Sequence, residues 1–156
     1  MSIMYDGSHS VTFIQGEATS SYTVKRSWLD FHLIPEKAPV IMSRTPKPLL
    51  VDIPFTSKTS DYTDEIAKGL FYEPANGEWV FYVDHDQWSN WYTAKTQIEN
   101  FINGKALWCI LEDDHNYKYS GRFLISEWED GNDYSKITIT YSIDGTRMTN
   151  DFVYDI

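Results

Sequence analysis

Only one long stretch of this chain has the period of a helix, so the rest of a packed core has to come from other structure. In Gln87 to Gly104, QWSNWYTAKTQIENFING, apolar residues recur at Trp91, Ala94, Ile98, Phe101 and Ile102. At about 100° per residue these positions make one continuous stripe. The opposite face, Ser89, Thr93, Thr96, Gln97, Asn100 and Asn103, is polar but uncharged. Asn103-Gly104 supplies a stop, because glycine accepts the left-handed cap conformation without a steric cost. The spacing predicts a helix over about 87–103. Burying its five stripe residues is worth on the order of 8–12 kcal/mol, so it must lie on a large apolar surface. A flank of Trp88, Tyr92, Lys95 and Glu99 adjoins the stripe. It reads either as a widened core face with one Lys95–Glu99 ion pair, or as a contact surface for another chain.

The remaining pattern is that of strands. Val11 to Ile14 and Tyr22 to Val24 flank a Gln15-Gly16-Glu17 turn. Glu78 to Val83 and Ala106 to Leu111 are apolar on both faces, which predicts cover on both sides. Between Val83 and the helix, Asp84 and Asp86 offer caps. Glu112 to Asn116 is a turn. Tyr119 to Trp128 places Phe123 and Ile125 inward and Arg122 outward. Asp130-Gly131-Asn132-Asp133 is a hairpin signal, and Lys136 to Tyr141 alternates with Ile137, Ile139 and Tyr141 inward. Residues 57–65 read as a polar turn leading into a short helical piece capped by Asp61 or Thr63. Residues 145–156 read as an added strand or a tail. These elements make a mainly β (α+β) domain with one packed helix, a single domain over 1–156.

Residues 27–54 break this rhythm. They hold five of the six prolines, yet apolar residues continue throughout. Proline excludes helix interiors and central strands, and an apolar composition excludes a flexible linker. The segment is therefore an extended arm that either wraps its own domain or packs on a neighbouring subunit. The second arrangement makes Phe31, Ile34, Pro35, Val40 and Ile41 intersubunit residues, joined by Trp88 and Tyr92 from the helix flank.

The net charge of −10 argues against a phosphate-binding surface. The single cysteine, Cys109, sits in an apolar run, which raises a thiol pKa instead of activating it. His9, His32, His85 and His115 share no ligand spacing. Asp84-His85-Asp86 and Glu112 to His115 lack a second cluster to complete a metal shell. No phosphate-binding glycine loop or nucleophile elbow is present. The expectation is no enzyme, no metal and no cofactor. No run reaches the ~20 apolar residues of a membrane span, and MSIMYDGSHS lacks the regions of a signal peptide, so folding in a cytoplasm is expected. Aromatic residues at 16% and strands apolar on both faces call for more cover than one small domain gives, which points to a homo-oligomer.

Several segments, in order, resemble the bacteriophage distal tail protein (Dit) family of siphophage type. Ser27-Trp28-Leu29-Asp30-Phe31-His32-Leu33-Ile34-Pro35 is similar to its TWxDWHLIP segment, and here too Pro39 and Val40-Ile41 follow. Val51-Asp52-Ile53-Pro54 with Asp61 to Glu65 resembles VDIPG…DLTE, and Gly77 to Val83 resembles GxWEFxV. Trp91 through Lys105 to Ile110-Leu111-Glu112-Asp113-Asp114 resembles the family's helix and ILEDD strand end. Tyr119 to Phe123 and Tyr134 to Tyr141 resemble YxGRF and WSKITIxY. Phe55 stands where the family has a glycine, and Ser142-Ile143-Asp144-Gly145 replaces its DPYK-like ending.

The resemblance implies a β-sandwich or split-barrel domain like that of tail-tube proteins, restricted to the N-terminal ring domain with no C-terminal lectin-like domain. It implies a homohexameric hub at the virion tail tip, assembled in the host bacterial cytoplasm. That hub joins the tail-tube protein to the baseplate hub or tail-associated protein and surrounds the DNA channel without sequence-specific nucleic-acid contact. A tail-tube subunit of the same machinery and a small non-enzymatic host-binding module are the alternatives.

Overall fold

The computed structural model describes residues 5, 7–41, 74–143 and 148–153, and the strand backbone at 46–47, 50–52, 59–61 and 71–72. The chain begins with a hairpin, β1 (Val11–Gly16) and β2 (Tyr22–Arg26), followed by a short strand β3 (Leu33–Pro35). Next come β4 (Pro46–Lys47), β5 (Leu50–Asp52), β6 (Thr59–Asp61) and β7 (Phe71–Tyr72). The long β8 (Ala75–Asp84) leads through a single 3-10 turn into helix α1 (Trp91–Ile102). β9 (Lys105–Leu111), β10 (Tyr117–Asp130), β11 (Tyr134–Ile143) and β12 (Met148–Thr149) complete the order.

The main sheet is antiparallel in the order β2-β1-β9-β10-β11-β8-β3, with β12 pairing the start of β10. Its curvature follows from the inner side chains. Phe13 on β1 and Trp79 on β8 are separated by three strands, yet their ring centroids are 6.4 Å apart. In a flat sheet four strand spacings would hold them about 19 Å apart. Phe123 on β10 fills the space between them, 5.3 Å from Phe13 and 5.9 Å from Trp79. The sheet is therefore curled towards a barrel. The 27–32 turn helps to draw its edges together. Ser27 donates its N–H to the Val11 carbonyl (2.8 Å), accepts the Val11 N–H on its hydroxyl (2.9 Å) and accepts the Leu33 N–H on its carbonyl (2.6 Å).

The core lies inside this curl. Leu33, Trp79, Phe81, Val83, Leu107, Cys109, Ile137, Ile139 and Ile143 all face it, and α1 adds Ile98 and Ile102. The predicted stripe is the buried face of the helix: Ala94, Ile98 and Ile102 are fully buried, and Trp91 and Phe101 pack half-buried on the core. The helix is shorter at its start than the spacing predicts. The Asp84 carboxylate accepts the Asp86 N–H and winds His85–Gln87 into the 3-10 turn, so Asn90 becomes the cap, accepting from Tyr92 N (3.1 Å) and Thr93 N (3.4 Å). At the other end Asn103 Oδ1 accepts the Ile125 N–H (3.0 Å), beside the β10–β11 register shift at Ile125/Glu127. Gly104 N–H meets the Phe123 carbonyl at 2.7 Å.

Three expectations are corrected. Lys95 pairs with Asp130 (2.8 Å) on the facing hairpin instead of Glu99. Trp88 precedes the helix and packs on His32 (5.2 Å), so it is not part of a helix flank with Tyr92. β8 is covered on one face only, because Val80 and Tyr82 remain half-exposed. The expected cap Asp61 ends strand β6, paired to Leu50, while Thr63 and the rest of the expected short helix lie outside the described residues.

On the back of the sheet a second cluster forms from Ile14, Ile110 and Phe152, with Trp108, Tyr22 and Val24 packed against it. The C-terminal segment 148–153 supplies the cover. Lys118, nearly buried, lies 4.2 Å from the Trp108 ring and 4.7 Å from that of Phe152 and bonds Asp151 at 2.5 Å. Val153 closes the segment on Tyr22, whose hydroxyl donates to the Val153 carbonyl (2.8 Å).

Candidate functional site

Alternation decides which part of this molecule faces outward. On β8, β10 and β11 the residues between the core positions are Glu78, Val80 and Tyr82; Arg122, Leu124, Glu127 and Glu129; and Lys136, Thr138 and Thr140. The ladder sets Lys136 opposite Tyr82, Thr138 opposite Val80 and Thr140 opposite Glu78. On the other side Glu129 stands opposite Lys136 and Leu124 opposite Thr140. Among the described residues the result is a partly exposed sheet face that carries shallow grooves. One, about 310 Å³, runs between Val80, Thr138, Lys136 and Glu127. Another, about 250 Å³, lies between β8 and the extended run Glu36 to Val40.

The extended run is attached to β8 by specific bonds. β3 pairs Ile34 with Tyr82 and Pro35 with Phe81, and Glu36 N–H reaches the Val80 carbonyl at 2.9 Å. Pro35 lacks an N–H, and β3 sits at the sheet edge where that is tolerated. The Tyr82 hydroxyl donates to Glu36 (3.0 Å), and this bond to a carboxylate raises the phenol above its ordinary range. Lys136 Nζ is 3.9 Å from the same carboxylate. Further on, the Val40 carbonyl accepts from both Trp79 Nε1 (2.9 Å) and the Tyr141 hydroxyl (3.1 Å).

The seven residues expected at an interface separate into distinct environments. Phe31 is a core residue, 3% exposed and 6.0 Å from Phe101, so its own domain occupies it. Ile34 and Pro35 are half-buried in β3, Ile41 packs half-buried on the core, and Trp88 is half-buried beside His32. Val40 (57% exposed) and Tyr92 (77% exposed) stand at the surface. Leu124 and Tyr134, both more than half exposed, join them and were not singled out in the sequence. The signal for Leu124 was its place in FLISEW, where it must oppose Phe123 across the strand.

The titratable clusters resolve into structural roles. His85 Nε2 is 2.7 Å from the Ser135 hydroxyl, which donates to Asp130 (2.7 Å). The set has the residue types of a hydrolytic triad but not the connectivity, since the carboxylate meets the serine and Ser135 is fully buried. Glu112 accepts from the Ser10 backbone and hydroxyl, and His9 pairs with Asp113 at 2.7 Å. Among the described residues no group of three or more His, Cys, Asp or Glu is placed to hold a metal. Cys109 is buried, and desolvation pushes its thiol well above the ordinary value. No described helix is long and apolar enough to cross a membrane.

Fold and surface together define a β-rich α+β domain, with one helix among the described residues, that offers an open, mixed-polarity sheet face bordered by an extended segment. No family model, no curated protein and no solved structure matches the chain.

Proposed function

We propose that this chain is a structural subunit of a bacteriophage or prophage tail, a hub ring of six copies at the tail tip that joins the tail tube to the baseplate and surrounds the DNA channel. The observation that carries the reading is the ordered similarity to distal tail proteins from Ser27 to Tyr141. Most of its segments fall on β3, β8, α1, β9, β10 and β11, elements of one continuous body, while the Val51–Glu65 segment falls on β5, the end of β6 and residues outside the described ones. A ring also suits the surface, because Val40, Tyr92, Leu124 and Tyr134 are large apolar or aromatic residues left in water. Strands β4–β7 and β5–β6 pair with each other and not with the main sheet. The net charge of −10 suits a wall that repels DNA phosphates.

Light scattering coupled to size exclusion tests the ring. Six copies of 18.2 kDa weigh six times that, 109.2 kDa, and this mass is expected to be independent of concentration. Val40→Asp is expected to give a folded monomer, since the side chain is exposed and only the backbone carbonyl is bonded internally. A native-mass ring from Val40→Asp would remove the arm from the interface. Long tubes in electron micrographs would instead assign the tail-tube role. A monomer at every concentration, with or without tail-tube and hub proteins, would overturn the ring.

A further inference from the structure

The contacts around His85 do not balance with one ring proton. His85 Nδ1 is 3.3 Å from the Asn132 carbonyl, and Nε2 is 2.7 Å from Ser135 Oγ. Ser135 has a single hydroxyl proton, and Asp130 Oδ1 lies 2.7 Å away to take it. Asp130 is held as an acceptor: the Lys95 ammonium on its other oxygen (2.8 Å), with Ser135, lowers its pKa against the opposing effect of desolvation. With the serine proton given to Asp130, Nε2 must donate to Ser135. A neutral ring then turns a bare Nδ1 lone pair towards the Asn132 carbonyl. The other neutral tautomer satisfies Asn132 but leaves one proton to serve both the Nε2–Ser135 and the Ser135–Asp130 contact. Only the doubly protonated ring satisfies all three contacts at once.

We propose that His85 is a proton-operated clamp that fastens the turn before α1 to the β10–β11 hairpin. The elements it joins are separate in sequence: His85 N–H already donates to the Asp133 carbonyl (3.0 Å), and the imidazole stacks on Trp91 at 4.8 Å, the first residue of α1. A cation over an indole face is favoured, so the stack supports the same protonated form. The charged and titratable groups around the ring are Asp84 and Asp86 on its own segment, Lys95 on the helix, and Asp130, Asp133 and Tyr134 on the hairpin. Taking up the second proton closes the Asn132 contact and pins the hairpin tip. Losing it loosens the tip together with the exposed Tyr134 and Tyr92 on either side.

The test is hydrogen exchange of the full chain followed amide by amide, with ring protonation read from histidine nitrogen shifts. Protection of the His85 and Trp88 amides, corrected for intrinsic exchange, is expected to rise roughly two- to tenfold from pH 7.5 to 5.5, the factor that one hydrogen bond carries. Asp130→Asn should abolish that rise while keeping the fold. Its carbonyl can still accept from Lys95, and its amide can donate to Ser135, which frees the serine proton for Nε2 and satisfies a neutral ring. His85→Gln should also be flat with pH. The clamp is overturned if protection in the wild type does not change with pH, or if Asp130→Asn retains the full rise.

Discussion

His32 occupies the left-handed region at φ 57°, its ring edge-on to Trp28 and Trp88 at 5.5 and 5.2 Å. Its Nδ1 is buried without a partner, and desolvation lowers its pKa despite the opposing charge of Asp30. A depressed histidine contributes stability that is full above its unfolded value, about 6.5, and lost as the pH falls through the folded one. Urea midpoints at pH 7.5 and 5.5 should therefore fall further for the wild type than for His32→Asn, which keeps a residue tolerant of positive φ. This dependence runs opposite to the His85 clamp, so global stability mixes the two and single-amide exchange separates them. Gly77 faces Tyr141 across the β8–β11 ladder, and a Cβ there would run into the phenol. Gly77→Ala should cost about 1–3 kcal/mol in chemical denaturation, because the added methyl overpacks the buried Tyr141 ring. At this scale the sequence was only partly legible. Phe31 and Val40 are both apolar residues of one proline-rich segment, and composition does not tell the core residue from the exposed one. The difference comes from the 27–32 turn, whose bonds to Val11 and Leu33 turn Phe31 inward.

Elements were more legible, because period is a property of many residues at once. The alternation in Lys136 to Tyr141 and in Ala106 to Leu111 marks β11 and β9 with the expected faces buried. The stripe on α1 is the buried one. The helix start was misplaced because Asp84, Asp86 and Asn90 are all competent caps, and the first of them is used by the preceding turn. Asn90→Ala should cost about 1 kcal/mol, against about 2–5 kcal/mol for Ile98→Ala in the core, both read from thermal or urea unfolding. The 148–153 segment has its own acid limit. The Lys118 bond holds Asp151 below the usual carboxylate range, desolvation opposing it. That contribution is present above about pH 3.9, the unfolded value, and is lost as the pH falls through the lower folded value. Exchange of the Val153 amide should accelerate there, after correction for intrinsic rates, and Asp151→Asn should make it fast already at pH 6. An unchanged Val153 amide in that variant would mean that Phe152 and Tyr22 hold the segment unaided.

At the scale of the whole molecule the pairing of distant strands was not readable. β1 meets β9 across almost a hundred residues, and nothing in either strand names its partner. The curl was hidden for the same reason, since it rests on large rings, Phe13, Trp79 and Phe123, meeting across the inside. Charge, by contrast, is legible from the start. Six copies in a ring bring together a formal charge of six times −10, or −60. Raising salt from about 20 to 200 mM shortens the screening length to below about 10 Å and should strengthen assembly of the proposed ring, as read by mass against dilution. Assembly that weakens with salt would mean that attractive ion pairs dominate the interface.

Val40 places one carbonyl oxygen under two side chains from two different strands, Trp79 of β8 and Tyr141 of β11. In mechanical language this is a cleat. Tension arriving along the extended segment is passed at Val40 into the paired centre of the sheet and is shared between two strands. It does not fall on the three-residue edge strand β3, which would peel one bond at a time. With handles at Ile41 and Gln97, Tyr141→Phe should therefore give way at a lower pulling force than the wild type while unfolding at nearly the same urea concentration.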